Sequence, residues 1–408
     1  MSPDGDPLLS VEAAQAHAVA PVRSTGVERV GVGEALGRVL GEEVRAPADV
    51  PPHDNSAMDG YAVRAADLAA GRLELTVIGE VAAGYVALRA LGAGEAYQIM
   101  TGAPIPPGAD AVVMVESTER TGDRVRIGKP AQAGEHIRGR GEDIRAGAVV
   151  LGRGVTLGPA ELGVLASVRR ARVLVARRPM VAVLATGDEL RDVDEPLDPG
   201  AIPDTNSYAL AALVRAAGGV PCVAPIVRDD PARIRAAIEA ARSADLIVSS
   251  GGVSVGEHDH VKAVLAELGA ELSLWRVNMK PGKPVAIARL GDVPYFGLPG
   301  NPVSSMVSFL LFVRPAIRTA LGCAQPFDLP RVQVVLDGPV RARGERRSYL
   351  RARVQAGADG HLHATVMPHQ GSHVLTSMVG ANGLVILEPG THDLAAGAAA
   401  TALLIGSV

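Results

Sequence analysis

Residues 293–313 read VPYFGLPGNPVSSMVSFLLFV: an apolar run, a turn rich in glycine and proline, then apolar residues at helical spacing. A buried strand passing through a short loop into a helix is the repeating unit of a doubly wound α/β domain. The same texture extends back to about residue 178. MVAVLAT reads as a buried strand followed by the loop GDEL, and DLIVSSGG and PVAIARL read as further strands. TNSYALAALVRAAGG predicts a helix with Thr205 or Asn206 as its cap and Gly218 as its stop. DDPARIRAAIEAARS predicts a second helix, capped by Asp229 or Asp230 before a proline, and HVKAVLAELG a third. The alternation implies a mostly parallel sheet over residues 178–327.

The flanks differ in texture. Residues 1–45 look helical, with Ser10 placed to cap VEAAQAHAVA and VGEALGRVL carrying apolar residues at helical spacing. Residues 46–140 hold short β-branched runs (LELTVIGEV, AYQIM, ADAVVMVES, DRVRIG) among glycines and prolines, the pattern of a small β-domain. A helical texture returns over 141–177, where Pro159 follows Gly158 at the start of AELGVLASV. Segments 1–45 and 141–177 are therefore expected to form one segmented linker domain interrupted by the β-domain. Short strands from 328 to 408 predict a closed C-terminal β-barrel. The fold class is α/β multidomain.

Length and composition narrow the function. A chain of 408 residues, 48% hydrophobic, supports two to four domains. A formal charge of −4 argues against a general nucleic-acid binder, and 3% aromatic content leaves few platforms for base stacking. Cys222 and Cys323 stand alone, without the spacing of a disulfide framework or a thiolate zinc site. No signal peptide is visible, and runs such as FLLFV fall short of the roughly 20 residues of a membrane span. The expectation is a soluble, cytoplasmic protein with neither membrane nor nucleic acid as partner.

Three loops leave the C-terminal ends of the expected strands, where open α/β sheets bind ligands. SSGGVSVGEHDH (249–260) brings Gly251, Gly252 and Ser254; GLPGNPVSS (297–305) brings Pro299, Asn301 and Ser304; TGDEL (186–190) brings Glu189. Glycines let backbone N–H groups approach an anion, and helix N-termini favour one. Neither glycine loop is a Walker A or GxGxxG fingerprint, which disfavours P-loop hydrolysis and NAD binding. A fourth loop, KPGKP (280–284), holds Lys280 and Lys283, two of only four lysines among 40 basic residues. Lysine kept where the chain otherwise prefers arginine suggests a compact point charge for a phosphate or other oxyanion. Acidic residues crowd PPHDNSAMDGYAV (51–63, with Asp59) and RGEDI (140–144, with Asp143), and Asp229 and Asp259 follow. Such hard oxygen ligands suit Mg²⁺ or Mn²⁺ near phosphates. The pair His258 and His260 lacks a third ligand at zinc spacing. In the C-terminal domain Arg347 and Arg351, four apart, are expected on one face of a strand, and Ser372 lies in a glycine turn.

Together with TGAPIPPGADAVV, DTNSYAL and QGSH, these motifs resemble the MoeA family, the molybdopterin molybdenumtransferases homologous to the gephyrin E domain. The resemblance runs from about residue 8 to 405. It implies an elongated homodimer in which the β-domain of one subunit closes the pocket of the other. It implies insertion of molybdate into adenylylated molybdopterin, with metal-dependent hydrolysis releasing AMP and molybdenum cofactor. A molybdopterin adenylyltransferase would be the upstream partner. Asp59, Thr101, Asp143, Glu189, Asp229 and Asp259 are the implied catalytic set, with Asp143, Glu189 and Asp229 as metal ligands. Gly251, Gly252, Ser254, Arg276, Lys280, Lys283, Pro299, Asn301, Ser304, Arg347, Arg351 and Ser372 are the implied substrate contacts. One departure is Arg276 after Trp275, where many relatives carry lysine; a guanidinium is not equivalent at a tight oxyanion contact. The rival expectations are an adenylyltransferase that makes the intermediate, or a scaffold or cofactor carrier without catalysis.

Overall fold

The computed structural model describes residues 8–252 and 260–408. Its centre is a six-stranded sheet in the order Val220–Val223, Met180–Ala185, Leu246–Ser250, Val293–Leu298, Pro284–Leu290, Glu271–Arg276. The first four strands are parallel, and the last two run antiparallel to their neighbours. Alternation along Met180–Ala185 feeds two cores. Val181 and Val183 face a cluster with Leu210, Val248 and Phe296, while Ala182 and Leu184 face one with Ile234, Ile247 and Tyr295. Both faces are thus covered by helices, as doubly wound sheets require.

Helix starts differ in detail from the sequence reading. Neither Thr205 nor Asn206 caps Asn206–Ala216 with its side chain; the buried Asp204 does, its Oδ1 accepting from the Ser207 N–H at 3.0 Å. Asp230, not Asp229, caps Pro231–Ala241 by accepting from Arg233 N–H at 2.9 Å. The apolar helix at Pro302 continues through a π-turn at Phe309–Val313 to Ala320. At 19 residues it is long enough to cross a membrane, contrary to the run lengths read from sequence, but it lies mostly within the core.

On the N-terminal side, Ser10 caps Val11–Val19 as expected. VGEALGRVL forms only a 3₁₀ turn at Val32–Glu34, because its apolar residues serve a β-rich unit instead of a helical face. In that unit Val27–Gly31 pairs with Arg172–Ala176, and Val44–Arg45 with Val149–Leu151. Leu40, Val44, Leu157, Leu165 and Val175 close its core. Between the two halves sits a six-stranded sheet ordered Ala111–Met114, Gly60–Val63, Glu95–Ile99, Glu74–Val81, Arg124–Ile127, Thr118–Thr121.

At the C-terminus Arg347–Ala356 pairs with both Leu362–Val366 and Gly383–Leu387. Arg331–Leu336 and Ala399–Leu404 complete the ring, giving a closed five-stranded barrel. Met279–Lys280 adds in parallel to the end of Arg347–Ala356, so the lysine loop is stitched onto the barrel.

Candidate functional site

The C-terminal ends of the parallel strands carry the loops together. Thr186 N–H donates to Ser250 O, Gly251 N–H to Leu298 O, and Asn206 Nδ2 to both Ser250 Oγ and Gly300 O at 2.7 Å. Asn206, read from sequence as a cap, is therefore the clamp between two of the glycine loops. Gly251 and Gly252 hold φ of +89° and +66°. A Cβ at Gly251 would lie 2.9 Å from Thr186 O, and one at Gly252 2.3 Å from the Val261 side chain. The turn has room only for glycine. Ser254 and Asp259 lie outside the described residues.

On the same rim, Gly187 N–H donates to Val227 O, which brings TGDEL beside Asp229. Asp188, which the sequence reading left without a role, ties the two loops. Its Oδ1 accepts from Asp229 N–H at 3.2 Å, and its carbonyl accepts from Arg191 and Arg228. Glu189 and Asp229 are exposed. Because Asp230 does the capping, the Asp229 carboxylate is left for other work.

The oxyanion candidates gather at the junction with the barrel. Pro299 is buried, Asn301 is exposed at the start of Pro302–Ser308, and Ser304 is buried in its first turn. Val303 N–H donates to Ser372 O at 3.1 Å, seating the QGSH turn on that helix start. Gly282, at φ +99°, lets the KPGK turn press on the same helix; a Cβ there would meet Ser308 Oγ at 2.6 Å. Arg351 is 1% exposed, yet no carboxylate pairs with it among the described residues. Its Nη2 donates to His369 O and Gly371 O, and Nε to Ser377 Oγ. Gln370 brackets its backbone, accepting from Arg351 N–H and donating to Arg351 O at 3.0 Å each. Burial depresses the Arg351 pKa, the penalty of a cation without an anion beside it. Lys283 is half-buried and Lys280 exposed. Arg276, half-buried, stands opposite Pro284 at the base of the loop.

Arg347 does not share that setting. It ion-pairs with Glu12 at 2.5 Å and Glu388 at 2.9 Å, joining the N-terminal helix to the barrel. The expectation of one anion-facing arginine pair gives way to a structural Arg347 and a buried Arg351.

A second group lies on the β-domain and linker. Thr101 donates through N–H and Oγ1 to Asp59 Oδ1, at 2.6 and 2.7 Å. The backbone donor first, then the hydroxyl, hold the Asp59 carboxyl below its ordinary range. Asp143 is exposed in a turn whose N–H groups donate to Val50 O, and neighbouring Arg140 N–H donates to Asp54 Oδ1. The two acidic motifs of the sequence thus run side by side. Asp143, Glu189 and Asp229 do not meet: among the described residues no three acidic, His or Cys side chains cluster for a cation. Their carboxylates, and the Lys280 and Lys283 ammonium groups, have no ion pair or hydrogen bond among the described residues.

Comparison with known proteins matches this layout along the chain. Residues 9–168 match the MoeA N-terminal region (domain I and II), 182–319 a probable molybdopterin binding domain, and 333–405 the MoeA C-terminal region (domain IV). A molybdopterin molybdenumtransferase of Nostoc is 39% identical over 380 residues, covering 91% of this chain and 87% of its own. Molybdopterin molybdenumtransferase 2 of Mycobacterium tuberculosis is 38% identical over 402 residues, covering 96% and 98%. A crystal structure of a molybdopterin biosynthesis MoeA protein from Pyrococcus horikoshii superposes with a TM-score of 0.84 at 30% identity, covering 98% of this chain and 100% of that one. The chain belongs to the MoeA family.

Proposed function

We propose that this chain is a molybdopterin molybdenumtransferase that inserts molybdate into adenylylated molybdopterin and releases AMP with the finished cofactor. The observation that carries this reading is the buried, carboxylate-free Arg351 behind the junction of the KPGK, Ser304 and Ser372 turns. A cation held there by neutral carbonyls is stabilised by an arriving oxyanion. In this reading Lys283 supplies a compact charge from the facing loop, and Ser372 and Ser304, whose backbones meet at Val303 N–H, supply hydroxyl donors. On the strand-end rim, the Gly251–Gly252 turn offers close backbone approach to phosphates. Glu189 and Asp229 are the hard, unpartnered oxygens for Mg²⁺ or Mn²⁺, which takes one or two carboxylates and completes its shell from substrate phosphates and water. When bound, such an ion neutralises charge on the phosphoanhydride.

The Asp59–Thr101 and Asp143 group serves the same reaction from a second subunit. In this reading the protein is a cytoplasmic homodimer, supplied by a molybdopterin adenylyltransferase. The test gives the purified chain adenylylated molybdopterin, molybdate and Mg²⁺, following AMP and the activation of a cofactor-free molybdoenzyme. Both signals should rise together. Turnover only with ATP and free molybdopterin would make the chain an adenylyltransferase, and cofactor binding without AMP release would make it a carrier.

A further inference from the structure

Thr186 follows the strand Met180–Ala185 at the rim of the sheet and is 8% exposed. The buried hydroxyls beside it are matched: the Tyr295 hydroxyl donates to Ser249 Oγ at 2.6 Å, and Asn206 Nδ2 donates to Ser250 Oγ at 2.7 Å. Thr186 Oγ1 is shut off from solvent and has no hydrogen-bond partner among the described residues, although its own N–H donates to Ser250 O. An unpaired buried hydroxyl destabilises a fold, and a valine of the same outline would not carry that cost. A threonine here therefore calls for a reason outside the free chain.

The Gly251–Gly252 turn lies against that hydroxyl. A Cβ built on Gly251 or Gly252 would stand 3.2 or 3.4 Å from Thr186 Oγ1, so the oxygen flanks the peptide joining the two glycines. Both glycines hold positive φ, and a peptide between two residues without Cβ atoms rotates with little steric resistance. Gly251 N–H is already engaged by Leu298 O at 3.1 Å, so an anion at this turn draws on the next donor, Gly252 N–H. When that peptide turns its N–H outward, its carbonyl, Gly251 O, turns inward. The hydroxyl on that inner side is Thr186.

We infer that Thr186 is a positioning residue for an organic phosphate. Its hydroxyl is unpaired in the free chain and donates to Gly251 O when the turn presents Gly252 N–H to the phosphate. The inference rests on the function proposed above, in which the glycine turn receives a substrate phosphate. Binding and pairing of the hydroxyl are then one event. The ligand favours the turned-over peptide because only that state offers both bonds.

The experiment compares the full chain with Thr186→Val, Thr186→Ser and, as a control, Thr319→Val. Thr319 Oγ1 is also buried and unpaired among the described residues, at the far end of the helix that begins at Pro302. Urea midpoints are read without ligand, and binding of AMP is measured by equilibrium dialysis without turnover. Thr186→Val should raise the urea midpoint and weaken AMP binding about fivefold, the effect of one hydrogen bond. Thr186→Ser should restore the affinity, and Thr319→Val should leave it unchanged. A midpoint that fails to rise in Thr186→Val would show the hydroxyl already paired in the free chain, and an unchanged AMP affinity would show it idle in the bound one. Either result overturns the inference, as does an equal loss in Thr319→Val or a wild-type chain that binds no AMP. If AMP binds as expected but the chain releases none from adenylylated molybdopterin and molybdate, the proposed reaction fails and the role of Thr186 stands.

Discussion

At the level of single residues, hydrogen-bond partners separate charges that hold the fold from charges left for a ligand. Thr101 gives Asp59 two donors that favour its ionised form. Thr101→Val removes the hydroxyl, so the Asp59 pKa should move up towards its ordinary value. The acid limb of the kcat/KM profile should then shift to higher pH, with the plateau reached later; an unmoved limb would show that Asp59 does not titrate in the reaction. Neighbouring aspartates give a sharper contrast. Asp230→Ala loses a helix cap and should cost about 1 kcal/mol in urea unfolding. Asp229→Ala should leave the unfolding midpoint in place and remove cofactor synthesis. This division was half-legible in the sequence: DDP announces a cap but cannot say which aspartate serves, since either reaches the first turn. Arg351 was harder still, because nothing in SYLRARV tells a buried guanidinium from an exposed one.

Elements impose their own constraints. Gly60 opens the strand Gly60–Val63, next to Asp59, where a Cβ would lie 1.9 Å from Val113 O. Gly60→Ala must therefore push apart two paired strands, and should cost about 3 kcal/mol or more by thermal or urea unfolding. The barrel holds a titrating element. Both ring nitrogens of His363 face carboxylates, Asp337 at 2.9 Å and Asp359 at 3.1 Å, which raises the His363 pKa. Asp337 and Asp359 are lowered, mainly by Thr365 and by the His361 N–H respectively, and also by His363. The imidazolium contribution is complete below the unfolded histidine pKa of about 6.5 and is lost as pH rises through the higher folded value. The carboxylate contribution is present above about pH 4 and lost as pH falls through the lower folded values. Urea midpoints across this range should fall off on the alkaline side in the wild type and lose that limb in His363→Gln. The strands and helices of the α/β region were plain from periodicity, because each buries a regular stripe. VGEALGRVL misled for the same reason: its spacing is helical, but its apolar residues belong to a core built from strand pairs.

For the molecule as a whole, the functional residues fall into two groups that no hydrogen bond or ion pair joins among the described residues: Asp59, Thr101 and Asp143, and the rim with its barrel junction. Motifs reveal such residues one by one, but their grouping is tertiary and, in the reading above, quaternary, beyond the reach of local spacing. A mixing experiment addresses it. Asp59→Asn and Lys283→Ala chains, each inactive alone, should regain about a quarter of wild-type activity when dissociated and reassociated together, since half the dimers are mixed and each has one intact pocket. No recovery would place both groups in one subunit.

The strand ladder that clamps the β-domain has a further consequence. Ala46 N–H donates to Ala148 O, and Val50 and Ile144 bridge just beyond, so the chain leaves and returns at neighbouring points. Everything between behaves topologically as an oversized hairpin tip. A chain shortened to a tight turn from 46 to 148 should keep the register of Val27–Gly31 with Arg172–Ala176. Such a geometry makes the module exchangeable: it is a cassette that an ancestor could have acquired, or a descendant could lose, without refolding its host.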